Sequence, residues 1–224
     1  MAARRKADRL IASGQVLVNG RPATPGQQVT PGVDQVTVEG RPVRVVSDRT
    51  YLMMNKPVGV LTSVGDPRGR ATVTDQLEAG RRLFPVGRLD LDSRGLLLLT
   101  DDGELAMRLM HPRYGVEKEY QVVISGRPDE RALQRLAKGM TIRDQSFQPV
   151  EVRIIDQGLE ETRVAMVLRE GRKREVRRLW QALGHRVIDL QRVRIDGVGL
   201  GDLEEGGVRP LTPEEVSCLK AAVS

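Results

Sequence analysis

Cysteine is almost missing from this 224-residue chain: Cys218 stands alone, so no intrachain disulfide can form and a thiolate metal cluster is excluded. Cys218 falls in a helical stretch and reads as a small buried residue rather than a nucleophile. Histidine is nearly as scarce. His111 and His185 are far apart, show no spacing suited to metal or acid–base work, and read as helix-terminal residues. Aromatic residues make up 3% of the chain, leaving Trp180 and three tyrosines as individuals. No apolar run approaches the roughly 20 residues of a membrane span. The basic start, MAARRKADRLI, is not followed by the apolar core of a signal peptide. A cytoplasmic protein without a membrane partner is expected.

Positive charge is what the chain has in excess, at +6 overall with a pI near 9.9. Its placement says more than its total. Between Arg163 and Arg194, 10 basic residues stand against 3 acidic ones, a local excess of +7 that exceeds the net charge of the whole chain. The remainder is close to neutral, so the excess is a patch, the footprint expected of a surface that meets phosphates. Apolar residues at 39% support a real core, and the length suits one sizeable domain plus a small one.

Local signals sketch an α+β protein with a mainly antiparallel mixed sheet flanked by helices. A basic helix is predicted over residues 4–13, followed by a strand at Val16–Val18, a hairpin turn at Asn19-Gly20 and a strand at Gln35–Val38. This module ends near Arg44, giving a small domain over 1–46 and a larger one over 49–224. In the larger region, strands are predicted at Tyr51–Met54, within Phe84–Thr100, and at Glu119–Ser125, Val150–Ile155, Thr162–Leu168 and Val187–Ile195. Helices are predicted at Thr74–Leu77, after an Asp101-x-x-Glu104 capping box, at Pro128–Lys138 and at Arg174–Leu183.

The stretch FPVGRLDLDSRGLLLLTDDGE, Phe84 to Glu104, is the most informative. It sets Asp90 on a glycine-punctuated loop just ahead of the apolar run Leu96–Leu99. A carboxylate so placed can be fixed in a cleft, and it lacks the neighbours of a metal site or hydrolytic triad. Asp90 and Asp92 could form a glycosidase pair, but such pairs normally come from separate elements. Asp101, Asp102 and Glu104 suit helix capping better than a cation site. Gly197, Gly199 and Gly201 precede no helix start and no Lys-Ser/Thr, so they do not make a phosphate loop. Around the basic segment Glu170 to Arg178, Val176, Leu179 and Leu183 mark an inward face with Arg177 beside it. A half-buried arginine requires an anion, and Asp90 is the candidate.

Together these residues resemble the RsuA/RluB family of ribosomal RNA pseudouridine synthases over nearly the whole chain. The ordered motifs are Asn55-Lys56-Pro57-x-Gly59, Phe84-Pro85-Val86-Gly87-Arg88-Leu89-Asp90, Leu96 to Thr100 with Asp102-Gly103, and His111-Pro112. They continue with Lys118-x-Tyr120, Glu170-Gly171-Arg172 with Val176-Arg177-Arg178, and Arg209-Pro210-Leu211-Thr212. The resemblance implies a pseudouridine synthase catalytic domain and an N-terminal alpha-L (S-four-type) RNA-binding domain. Family members open with a further helix before the segment matching Arg4 to Ala7, which implies a truncated module here. Asp90 matches the catalytic aspartate, Tyr120 the tyrosine that stacks on the target base, and Arg177 the basic residue paired with the aspartate. RNA contacts are expected from Arg4, Arg5, Lys6, Arg9, Asn55, Lys56, Arg88, Arg172, Lys173, Arg174 and Arg178. Isomerising uridine requires neither cofactor nor metal. The partner implied is ribosomal RNA or a pre-ribosomal particle, met by a monomer. Glu175 to Trp180 looks more like the large-subunit enzymes than the small-subunit one. The competing expectation is a non-catalytic RNA-binding or ribosome-assembly factor on the same scaffold, indifferent to Asp90.

Overall fold

A computed structural model describes residues 4–43, 48–77 and 82–224. The chain divides into two compact units, residues 1–49 and 50–224. The expected domain edge at 46 lies outside the described residues.

The first unit holds helix α1 (Arg4–Ala12) and strands β1 (Val16–Val18), β2 (Arg21–Pro22), β3 (Val36–Val38) and β4 (Arg41–Pro42), in the sheet order β2-β1-β3-β4. Val16 and Val18 point to the same side of β1 and are buried. Asn19-Gly20 makes the expected turn, with both residues at positive φ. Glu39-Gly40 makes a second turn of this type, joining β3 to β4.

The second unit begins with β5 (Tyr51–Lys56), β6 (Phe84–Val86), β7 (Arg94–Thr100), α2 (Gly103–Met110) and β8 (Lys118–Ser125). Next come α3 (Glu130–Lys138), β9 (Met140–Ile142), β10 (Gln145–Phe147), β11 (Glu151–Gln157), β12 (Glu161–Leu168) and α4 (Glu175–Ala182). The chain finishes with β13 (Val187–Ile195), β14 (Val198–Gly199), β15 (Val208–Pro210) and α5 (Pro213–Ala221). The main sheet runs β11-β12-β8-β13-β7-β5-β15, with β14 on β13 and β6 on β7. Its pairs are antiparallel except β13 with β7.

The run Leu96–Leu99 is apolar throughout because both faces of β7 are covered. Leu97 and Leu99 enter one core with Met54, Tyr120, Val122 and Trp180, while Leu96 and Leu98 enter the other with Met53, Leu105 and Leu219. β7 also creates an opening. β5 occupies one of its edges, and on the other edge β13 pairs with residues 94–95 while β6 pairs with residues 98–100. The sheet therefore splits where β7 changes partner, and β6 and β13 border the gap. Close approach at the split depends on Gly95. A Cβ there would lie 2.3 Å from the Arg192 carbonyl oxygen, and the residue has φ +105°.

Several expectations shift. Thr74–Leu77 forms turns rather than a helix, because the Asp75 carboxylate accepts from both the backbone N–H and the hydroxyl of Thr72, closing the chain locally. The cap of α2 is Asp102, which accepts from Leu105 N–H, while Asp101 accepts from Thr50 N–H. Cys218 is half-buried rather than buried. The β9–β10 hairpin has no counterpart among the expected elements. His111 does end α2, as its C-cap. No helix among the described residues is long and apolar enough to cross a membrane.

Candidate active site

A cleft of about 950 Å³ opens at the split in the sheet. Its walls include residues 85–90 from β6 and the following loop, Lys118 and Tyr120 from β8, residues 169–176 around the start of α4, and Arg192 from β13. Asp90 and Tyr120, 30 positions apart in sequence, thus face one cavity.

The loop carrying Asp90 is pinned along its length. Gly87 enters it at φ +75°, and Ser93 N–H donates to the Asp90 carbonyl at 3.1 Å, closing a turn. The Thr62 hydroxyl donates to the Leu89 carbonyl at 2.8 Å and accepts from Leu89 N–H at 3.2 Å. Gly59 N–H donates to the Leu91 carbonyl at 2.8 Å, and Arg177 to the Asp92 carbonyl at 2.6 Å. Holding a reacting group within fractions of an ångström is what such bonds supply.

Lys56 lies beneath this loop. Its side chain is fully buried, and Nζ donates to the carbonyls of Ser93 (2.8 Å) and Pro57 (2.9 Å). Asn55 is also buried and donates to the Leu203 carbonyl. Neither residue is exposed, as the RNA contacts implied for both by the resemblance would require. The cause of the difference is that the end of β5 is covered on both faces, so these polar groups satisfy loop carbonyls instead. Burial pushes the Lys56 ammonium down to about 8, opposed by the charges of Asp90, Asp92 and Glu205. Below about pH 8 both folded and unfolded chains hold the proton, and the cost of the buried charge is fully present. From there up to the ordinary lysine value of 10.5 the unfolded chain binds more protons, so stability rises with pH. Lys118, likewise pushed down to about 8 by burial, adds to the same rise. Chemical denaturation between pH 7.5 and 10 is expected to show that rise in the wild type and a shallower one in Lys56→Met. Identical slopes would remove Lys56 as its source.

The ion pairs differ from expectation in one respect. Arg177, side chain 12% exposed, pairs with Asp92 at 3.3 Å rather than with Asp90. Arg174 makes two 3.1 Å hydrogen bonds to the Asp92 carboxylate and reaches Asp90 at 3.9 Å. The turn from Asp90 to Ser93 directs Asp92 toward α4, where it ties the loop to both arginines. Asp92 is therefore a tether for α4, an occupation that fits poorly with the carboxylate pair weighed from sequence. Arg174 is itself held in a left-handed conformation, φ +53°, at the helix entrance.

The other sequence candidates separate into groups. Arg88, Arg172, Lys173 and Arg174 are exposed and line the cleft, forming a basic rim. Arg178 does not line it; it stacks over Phe147, 4.8 Å from the ring centre, and donates to Gln145, fastening the β9–β10 hairpin to α4. Lys6 and Arg9 are exposed on α1 of the first unit. Arg4 and Arg5 belong to that helix, and their side chains lie outside the described residues. The +7 segment is thus divided, since Arg177 and Arg192 turn inward while the rim residues face out.

Lys118 and Arg192 line the cleft although the sequence reading gives neither a role, Lys118 appearing there only within the Lys118-x-Tyr120 motif. Lys118 is two positions from Tyr120 on β8 and so shares its face of the sheet. That spacing is a usable signal. Arg192 stands directly opposite Tyr120 in the register of β13 with β8.

Residues 50–182 match the RNA pseudouridylate synthase family, and residues 1–34 match the S4 domain. The chain is 40% identical over 225 residues to ribosomal large subunit pseudouridine synthase B of Bacillus subtilis, covering 99% of this chain and 91% of that protein. It is 41% identical over 226 residues to an uncharacterized RNA pseudouridine synthase of Aquifex aeolicus, covering all of this chain and 90% of that one. Among solved structures, a pseudouridylate synthase crystal structure superposes with a TM-score of 0.72 at 30% identity, over 97% of this chain and 94% of the other. The matched segment contains the Asp90 loop, Tyr120 and all of α4, and with these likenesses spanning nearly the full length the chain belongs to the RNA pseudouridylate synthase family.

Proposed function

We propose that this protein isomerises uridine to pseudouridine in large-subunit ribosomal RNA, with Asp90 as the reacting acid. The observation that carries this reading is the pinned Asp90 loop facing Tyr120 across one cleft with a basic rim. The reaction breaks the bond from uracil N1 to ribose C1′ and joins C5 to C1′ after the base turns. The C5 proton is released and N1 gains one, so no atom is lost overall. Asp90 starts it either by attack on C1′ or by removal of the C2′ proton. Tyr120 supplies a platform for a base extruded from its stack and is the candidate to take the C5 proton. Arg88, Arg172 and Lys173 at the rim hold backbone phosphates, and the S4-like first unit adds RNA affinity. The large-subunit preference rests on the similarity to the Bacillus subtilis relative. We infer further that the protein works as a monomer in the cytoplasm, on ribosomal RNA or a pre-ribosomal particle.

Pseudouridine mapping in ribosomal RNA from cells lacking this protein tests the reading. One or a few large-subunit sites are expected to vanish and to return with the wild-type gene but not with Asp90→Asn. An unchanged map would leave the scaffold as an RNA-binding factor without isomerase activity.

A further inference from the structure

Arg192 is 2% exposed, yet it lines the cleft. Its Nε donates to the Leu96 carbonyl at 2.7 Å, which fixes the guanidinium plane. Its Nη2 is buried with no acceptor among the described residues. A buried donor left unpaired is costly, and such groups in a native fold call for an explanation. Registry supplies part of one. Arg192 is the direct cross-strand partner of Tyr120, so their side chains rise from the same face of the sheet as neighbours. Lys118, two residues from Tyr120 on that face, brings a second cation to the same wall. Its half-buried ammonium is destabilised first by desolvation and then by the nearby charge of Arg192. Glu175 is the acid whose charge acts against this. The inner wall is thus rich in donors and positive potential, apart from the exposed phosphate-facing rim.

We propose that Arg192 donates from Nη2 to a carbonyl oxygen of the target uracil and stabilises the base as it leaves ribose. The inference rests on the uridine-isomerase reading and deepens it. When the N1–C1′ bond breaks, its electron pair stays with the ring, whether Asp90 attacks C1′ or removes the C2′ proton. The charge spreads over N1, O2 and O4. Uracil offers two carbonyl acceptors before the step and better ones during it, so a fixed cationic donor binds the charged ring more tightly than the neutral one. Arg192 therefore serves both recognition and the chemical step.

The test uses short synthetic RNAs spanning a uridine located by the mapping above. Three versions carry, at that position, uridine, the pyrimidin-2-one nucleoside that lacks O4, or the pyrimidin-4-one nucleoside that lacks O2. Competition binding by the wild type is expected to be about tenfold weaker for one of the two analogues, since the donor loses its acceptor. Arg192→Lys keeps the charge but not the fixed donor geometry. It is expected to bind all three RNAs alike, and to isomerise the uridine version about 10²-fold more slowly in single turnover. Equal wild-type affinity for all three RNAs overturns the proposal, and this arm stands even if the variant does not fold. An unchanged single-turnover rate in folded Arg192→Lys overturns it too. Failure of the wild type to isomerise the uridine version would instead count against the isomerase reading.

Discussion

Gly95→Ala is expected to destabilise the protein by at least about 3 kcal/mol, enough to remove most soluble, folded material. Two independent costs combine at this position. The backbone sits at φ +105°, a conformation that L side chains rarely adopt. A Cβ would also meet the Arg192 carbonyl oxygen at 2.3 Å and the Arg192 nitrogen at 2.7 Å. Both are backbone atoms of the parallel neighbour, so relief requires moving β13 away from β7 rather than swinging a side chain. That movement would loosen the junction that joins β8, β13 and the Tyr120 wall to the Asp90 half of the sheet. Gly199 serves as a control, because a Cβ added there would meet no atom within 4 Å and its φ is not positive. Gly199→Ala is expected to stay within about 0.5 kcal/mol of wild type. Thermal or denaturant unfolding of the two variants side by side measures the difference, and equal stabilities would show that the sheet tolerates separation at Gly95.

The long buried strands are legible in the sequence because their composition reports burial directly. β7 and β13 appear where apolar and β-branched residues cluster between turn signals, and β5 runs two residues beyond its expected end. The β9–β10 hairpin is not legible. Its two-residue turn is Arg143-Asp144, both at positive φ, where Asn-Gly or Asp-Gly is the usual signal. Within the site, Asp90 can be found because glycine and a following apolar run bracket it, and those are local features. The partner of Arg177 cannot. Asp90 and Asp92 lie two positions apart, and only the closed turn from Asp90 to Ser93 decides which carboxylate faces α4. Lys56 is misplaced for a related reason. A lysine at the end of a strand reads as exposed unless both faces of that strand are known to be covered, and the covering comes from segments far away in sequence. Arg192 hides within a basic count that treats every arginine as a surface charge.

The second large effect concerns Asp90 itself. Asp90→Asn keeps the shape of the side chain and every backbone bond that pins the loop, because those bonds run through Thr62, Gly59, Arg177 and Lys56. The substitution therefore removes the carboxylate without dismantling its setting. An amide can neither attack C1′ nor take the C2′ proton, so the loss is expected to be on the order of 10³-fold or more in rate. RNA affinity should change little, since the basic rim and the first unit are untouched.

The most direct measurement is tritium release from large-subunit ribosomal RNA transcribed with uridine labelled at C5, comparing wild type with Asp90→Asn. Each isomerisation exchanges the C5 hydrogen with solvent. Steady release is expected from the wild type, and release near background from Asp90→Asn at equal RNA binding. Equal release by both proteins, or none by the wild type, would contradict the role of Asp90 as the reacting acid of a uridine isomerase.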